Sequence, residues 1–256
     1  MRILNKNHSA LLRAPTSKVS VILPVMNERK TLAAVLREVK KLKPLEIIVV
    51  ANGSTDGSAA IASKCGAKVL TFDQPLGHDV GRSIGARHAA GEILLFLDGD
   101  MVIPAAQLRP YLRAVERGVD VALNRYNGKL SRSTVHPVVL AKHALNTVLG
   151  RPDLKGASLT TIPHAMSRQA AQTIGFEQLA VPPKAQAIAI QHRLKVKAVH
   201  LIQVGKLNPV RRREKGADPL GNLIVGDHLE AINWYAKATN DRGLRSDLSR
   251  NRHIVR

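Results

Sequence analysis

Asp98 and Asp100 stand either side of one glycine at the end of the stretch "EILLFLDGD", where an apolar run gives way to two carboxylates. Charges of one sign this close call for a cation. An all-oxygen donor set favours Mg2+ or Mn2+, hard ions that keep waters and bind substrate phosphates. The chemistry that fits is a metal bridging the protein to a diphosphate. The spacing alone fits equally a turn closed by an Asx hydrogen bond. A second group, Asp227, His228 and Glu230, lies in "VGDHLEA". It falls at the expected start of a last helix, roughly 227–240, where Asp227 would also serve as a cap.

The elements that must carry these residues follow from hydrophobic pattern. "VSVILP" is a short aliphatic run of buried-strand character ending at Pro24. Asn27 sits where a helix cap belongs, and Leu32, Val35, Leu36, Val39 and Leu42 follow at helical spacing. The unit repeats as strand "EIIVVA", turn "NGSTDGS" and helix "AAIASKCG", with Ser54, Thr55 and Asp56 as turn and cap residues. "KVLTF", "EILLFL" and "VDVAL" add three strands, with a short helix "VGRSIGARHAA" and another from Pro104 to about Arg117 between them. Strands buried on both faces and alternating with helices predict an α/β protein with a mainly parallel sheet.

Such sheets bind ligands beyond the carboxyl ends of their strands, beside a switch in strand order. "PVMNE", "ANGSTDGS" and "DGD" all fall at strand ends and should line one crevice. Past residue 127 the pattern loosens into helices around "VHPVVLAKHALNTVLG" and "SRQAAQTIG", a strand in "KVKAVHLIQV", and an irregular basic loop, "KLNPVRRREKGADPLG". The last helix should bury Leu229, Ile232 and Tyr235 or Ala236, and the polar, basic tail 241–256 should be loose. One domain over residues 1–256 is expected, with 18–126 as one half, 127–240 as the other, and the tail.

The formal net charge is +20, and the excess is uneven: residues 1–128 carry 18 basic and 11 acidic side chains, the remainder 21 and 8. Acidic partners follow, and the second half should face them. A generally basic surface kept for solubility is the bland alternative. No apolar run reaches the roughly 20 residues of a membrane span, and "MRILNKNHSALLRAPTSK" lacks a signal-peptide core, so a cytoplasmic location is expected. One cysteine, Cys65, excludes an internal disulfide or a multi-cysteine zinc site.

The stretches "VSVILPVMNE", "EIIVVANGSTDGS" and "GRSIGARHAAGEILLFLDGDMVIP", in this order, resemble the nucleotide-sugar-binding half of a family 2 glycosyltransferase with the GT-A (Rossmann-like) fold, and "TTIPHAMSRQAAQTIGF" its acceptor side more loosely. The resemblance implies a glycosyltransferase drawing on a nucleoside-diphosphate sugar, a UDP-sugar by default, with a helical and basic C-terminal elaboration. Pro24, Val25, Asn27 and Glu28 would contact base and ribose. Asn52 would sit near the base, and Arg82 would shape the nucleotide pocket. Asp98 would approach the ribose or a metal-bound water across the turn that Gly99 permits. Asp100 would ligate Mg2+ or Mn2+, with His228 as a further ligand. Lys206 and the Arg211–Arg213 cluster would close over the diphosphate; a solvated or lipid-facing patch is the plainer reading of the same run.

Two departures from the family pattern stand out. Ala51 and Asn52 occupy the end of the second strand, where a carboxylate is usual, so base recognition should differ. Pro183 and Lys184 stand where inverting members place an acidic pair, and a protonated lysine is no general base. Asp227 and Glu230 are therefore the candidate catalytic acids, with Glu177 a further one, and Lys184 would instead hold a phosphate. The acceptor is unidentified and by charge an anionic one fits, as does peripheral contact with the inner face of an anionic membrane; nucleic acid ranks below both. A sugar-phosphate nucleotidyltransferase is disfavoured because "PVMNE" is not the glycine-rich basic loop that holds a triphosphate. A non-catalytic basic module on the same fold is the third reading.

Overall fold

The computed structural model describes residues 18–130, 134–207 and 218–255. Seven strands form one sheet in the order β3-β2-β1-β4-β6-β5-β7. They are β1 (Val19–Val25), β2 (Glu46–Asn52), β3 (Lys68–Phe72), β4 (Ile93–Phe96), β5 (Val121–Asn124), β6 (His164–Ser167) and β7 (Val196–His200). All run parallel except β6, which pairs antiparallel with both β4 and β5. The expected mainly parallel α/β sheet is thus present, and it draws strands from both halves of the chain. The five strands expected in the first half all form, because their aliphatic side chains can be buried on either face.

The helices are α1 (Leu32–Lys40), α2 (Ser58–Lys64), α3 (Val80–His88), α4 (Ala105–Glu116), α5 (Pro137–Val148), α6 (Arg168–Ile174), α7 (Pro182–Gln191), α8 (Val204–Leu207) and α9 (Pro219–Ala238). Alternate residues of β1 face opposite ways: Val21, Leu23 and Val25 join α1, α2 and α4 in one core, and Ile22 joins α3, α6 and α7 in the other. A third, smaller cluster links α5, α7 and α9 through Leu145, Ala187, Ala231 and Tyr235. α3 lies close on the sheet because position 85 is glycine; a Cβ there would come within 2.4 Å of Ile22 Cγ2.

Several expectations give way here. Asn27 does not cap α1, which starts five residues later at Leu32; Asn27 sits at φ +58° in the loop instead. α9 begins at Pro219, with the Asp218 side chain accepting from Gly221 N, so Asp227, His228 and Glu230 lie in mid-helix and Asp227 is no cap. Pro at the first helical position after an Asp cap is an ordinary start signal. The longer helix also presents a different stripe: His228, Ala231 and Tyr235 are buried and Leu229 is 62% exposed, the reverse of what was expected for Leu229. The tail is not wholly loose, since Asp247 gathers Arg242, Arg250 and Arg252. Among the described residues no helix is long and apolar enough to cross a membrane.

Candidate active site

The chain order reverses at β1, whose neighbours are β2 on one side and β4 on the other. The three polar loops leave the carboxyl ends of these strands and are sewn together there. Asn27 N donates to Ser54 Oγ at 3.2 Å, and Asn27 Oδ1 accepts from Thr55 N at 2.9 Å. Glu28 N donates to Ser58 Oγ at 2.9 Å, and Asp56 accepts from Arg29 N at 2.9 Å. Thr31 Oγ1 donates to Gly99 O at 2.8 Å, tying the Asp98–Asp100 turn to the same wall. Gly99 is needed for close approach rather than for an unusual φ: a Cβ there would lie 2.9 Å from Val25 Cγ2.

Below this turn lies a buried ion network. Arg82 on α3, 4% exposed, reaches Asp98 Oδ1 at 3.1 Å through Nη2 and Asp79 Oδ1 at 2.8 Å through Nη1. Burial opposes its charge, and the two carboxylates more than offset that opposition. Asp79 is itself buried and sits at φ +63° just before α3. The fork geometry of a guanidinium suits this double grip, and lysine would not reproduce it.

Helix α9 and its neighbours cover the network. Lys142 of α5 donates to Thr161 Oγ1 at 2.6 Å, and burial, with the charge of Arg82 adding, pulls its ammonium down to about 8. His164 of β6 stacks on Phe96 with ring centroids 4.9 Å apart and is held neutral, at about 3, by burial and by Arg82. His228 is 1% exposed and donates from Nδ1 to Ile224 O at 2.6 Å, leaving a lone pair on Nε2. Burial holds it at about 4, and Lys142 contributes. Asp227 is pushed up to about 6, first by burial and then by the charges of Asp79 and Glu230. Glu230 is gripped by Lys184 Nζ at 3.0 Å, a bridge joining α9 to α7.

A family model described as glycosyl transferase family 2 matches residues 20–171, more than half of the chain. The chain belongs to glycosyl transferase family 2. Among curated relatives of this glycosyltransferase, an undecaprenyl-phosphate 4-deoxy-4-formamido-L-arabinose transferase of Serratia proteamaculans is 33% identical over 118 residues, 42% of this chain and 36% of the relative. A 4,4'-diaponeurosporenoate glycosyltransferase of Staphylococcus haemolyticus is 27% identical over 195 residues, 73% of this chain and 50% of the relative. The chain therefore spans about a third to a half of the length of these relatives. A crystal structure of glucosyl-3-phosphoglycerate synthase from Mycobacterium tuberculosis with Mn2+, UDP-glucose and phosphoglyceric acid superposes with a TM-score of 0.64 at 20% identity, covering 85% of this chain and 80% of that one. The fold is GT-A.

The family 2 glycosyltransferase thus brings Asn27, Glu28, Asn52, Arg82, Asp98, Gly99 and Asp100 to one rim, though several side chains are already engaged there. Val25 is 2% exposed and packs beneath Gly99, so only its backbone faces the rim. Pro24 is partly exposed beside it. Asn52 donates to Gly77 O at 3.0 Å and accepts from Leu76 N, which spends its amide on fixing the loop after β3. Asn27 is likewise a stitch between loops. Glu177 is exposed and 3.6 Å from Arg87, at the far end of α3 from Asp79. Arg211, Arg212 and Arg213 lie outside the described residues; Lys206 is in the short helix α8.

His228 is not gathered with Asp98 and Asp100. Among the described residues no group of three or more His, Cys, Asp or Glu side chains is placed to hold a metal ion. The near neighbour of His228 is Lys142, a cation that a metal would repel. Asp98 and Asp100 still suit a hard ion, because Mg2+ or Mn2+ is commonly held by one or two carboxylates plus phosphate oxygens and water. Asp79, Lys142, Thr161 and His164 escaped the sequence reading. A signal existed only for Asp79, three residues before Arg82 at the start of a helix.

Proposed function

We propose that the protein transfers a hexosyl group from a nucleoside-diphosphate sugar, a UDP-sugar by default, to an unidentified acceptor whose anionic character would match the basic second half. The observation that supports this most is the strand-end rim itself: three loops sewn together at the strand-order switch around Asp98–Gly99–Asp100, with Arg82 anchoring Asp98 from beneath. Base and ribose would lie along the backbone of Pro24 and Val25 and the side chain of Glu28. Asp100 and the outward oxygen of Asp98 would hold Mg2+ or Mn2+. That ion, when bound, relieves the charge that builds on the departing diphosphate.

The rest falls to the chain's own groups. Arg82 holds Asp98 through Oδ1, so this carboxylate is fixed before the donor arrives. Asp227 takes the proton of the acceptor hydroxyl: raised to about 6, it is ionised near neutrality yet basic enough to accept. Glu230 drops from this role because Lys184 already neutralises it. Lys142 adds to burial in keeping His228 neutral. The parallels with the lipid-linked and phosphoglycerate-directed relatives support an acceptor bearing phosphate or carboxylate.

The test is turnover of UDP-glucose, UDP-galactose and UDP-N-acetylglucosamine in Mg2+ or Mn2+, read as released UDP, against pyrophosphate release from UTP and a sugar phosphate. UDP release lost in Asp100→Asn supports the proposal. Pyrophosphate release without UDP release would replace it with a nucleotidyltransferase.

A further inference from the structure

An open cleft of about 550 Å3 lies along the last strand of the sheet, β7, and its lining includes Arg125, Arg151, Asp153, Lys155, Lys195 and Lys197. It shares no lining residue with the Asp98–Gly99–Asp100 rim, and β6 and β5 separate β7 from β4 in the sheet. The single acid is spent. Asp153 takes Arg151 through both oxygens, at 2.8 and 2.7 Å, and Arg151 Nη2 also donates to Val196 O at 3.0 Å. This pair builds the wall and cancels its own charge.

Arg125, Lys155, Lys195 and Lys197 remain, all four exposed, and among the described residues none of them is in an ion pair. Lysines on an edge strand guard against pairing with another chain, which would account for Lys195 and Lys197. It does not account for Arg125 and Lys155, which come from two separate loops to the same hollow. Lys155 is held at φ +51°, with its carbonyl pinned by Asn146 Nδ2 at 2.7 Å. The volume is that of a small-molecule site, about 300–1,000 Å3. No aromatic side chain lines it, so the stacking platform of a single-stranded nucleic-acid groove is missing.

We propose that this cleft binds a phosphate-bearing ligand, held through Arg125, Lys155, Lys195 and Lys197. Converging cations with no carboxylate of their own favour a compact polyanion over a single carboxylate. The phosphate belongs either to a soluble monoester or to a phospholipid headgroup. The site stands apart from the donor rim, so its fate does not depend on the reading of that rim.

The experiment compares the full chain with Lys195→Glu/Lys197→Glu and with the control Lys40→Glu/Lys64→Glu, two exposed lysines on α1 and α2 with the same change in net charge. Probes are glycerol 3-phosphate by calorimetry, and sedimentation with vesicles of phosphatidylglycerol in phosphatidylcholine or of phosphatidylcholine alone. The cleft variant is expected to bind at least about tenfold more weakly, the control within about twofold, with donor turnover unchanged in both. Loss on the soluble ester assigns a free phosphate; loss on the anionic vesicles alone assigns a headgroup. If the wild-type chain binds neither probe, or if the two double variants weaken equally, the cleft is not a phosphate site.

Discussion

Arg82 and Asp98 meet at 3.1 Å across a nearly buried contact, and the other arm of the same guanidinium holds Asp79 at 2.8 Å. One cation therefore fixes the inner side of the Asp98–Gly99–Asp100 turn and pairs with one oxygen of the buried Asp79, whose other oxygen has, among the described residues, only His78 at 3.5 Å. Removing it leaves buried Asp79 with His78 as its remaining ion-pair partner among the described residues. Arg82→Met is expected to cost about 3–5 kcal/mol, the range for breaking a buried pair, in urea denaturation. Arg82→Lys should retain part of that stability but lose donor affinity, because one ammonium cannot hold both acids in the same geometry. Equal donor affinity in Arg82→Lys would show that the turn does not depend on the fork.

Asp227 and Glu230 are one helical turn apart on α9 and separate cleanly by experiment. Asp227→Asn should lower kcat by about 10²–10⁴ while leaving KM for the donor nearly unchanged. Glu230→Gln breaks a half-exposed bridge to Lys184, and its effect should stay within about 1 kcal/mol of stability and a few-fold in rate. The acid limb of the rate profile should fall through about pH 6 in the wild type, where Asp227 protonates. A carboxyl raised in the fold costs stability as pH rises from 3.8 past 6. Asp227→Asn should therefore melt higher than wild type at pH 7.5, with the difference vanishing toward pH 4.

His164 and His228 set the acid side of stability. Both are neutral in the fold, at about 3 and about 4, against an ordinary value of 6.5, so only the unfolded chain takes up their protons as pH falls below 6.5. Their contribution to stability is fully present above pH 6.5 and is lost toward pH 4. Each histidine contributes up to about 2 kcal/mol of the loss between pH 6.5 and 5. Chemical denaturation at pH 7 and 5 measures it, and His228→Asn should flatten the dependence. An unchanged slope would mean that His228 is protonated in the fold.

Gly99 makes a prediction of a different kind, because its neighbour is known. Gly99→Ala places a Cβ 2.9 Å from Val25 Cγ2 and should cost about 1–3 kcal/mol and displace the Asp98 and Asp100 carboxylates. Val25→Ala in the same chain removes the clashing methyl and should recover donor binding. If the double variant binds no better than Gly99→Ala alone, backbone conformation and not close approach is the reason for glycine.

The first half of the fold was legible because each buried strand is an aliphatic run closed by a polar turn. β6 was not: "HAMS" has four residues, no alternation, and enters the sheet antiparallel between β4 and β5, a placement that only its neighbours dictate. α7 was not foreseen; Pro182 and Pro183 occupy its first turn, where proline fits. At the rim, Asp98 and Asp100 stood out by type and by their position after a buried strand, not by spacing alone. Lys142, His164 and Thr161 did not, since each is ordinary in its own segment and gains meaning only when α5, β6 and α9 fold over Arg82. His228 illustrates the converse: its residue type suggested a metal ligand, and the fold buries it on α9 with Nδ1 bonded to Ile224 O and the charge of Lys142 acting on it.

Asp100 is proposed to join a nucleoside diphosphate to a divalent cation. Calorimetric titration of UDP into wild type and Asp100→Asn, each with Mn2+ and with chelator, tests it most directly. UDP is expected to bind the wild type and to weaken at least about tenfold when Mn2+ is chelated, and to bind Asp100→Asn weakly with no improvement from Mn2+. UDP binding of equal strength in all four titrations would contradict it.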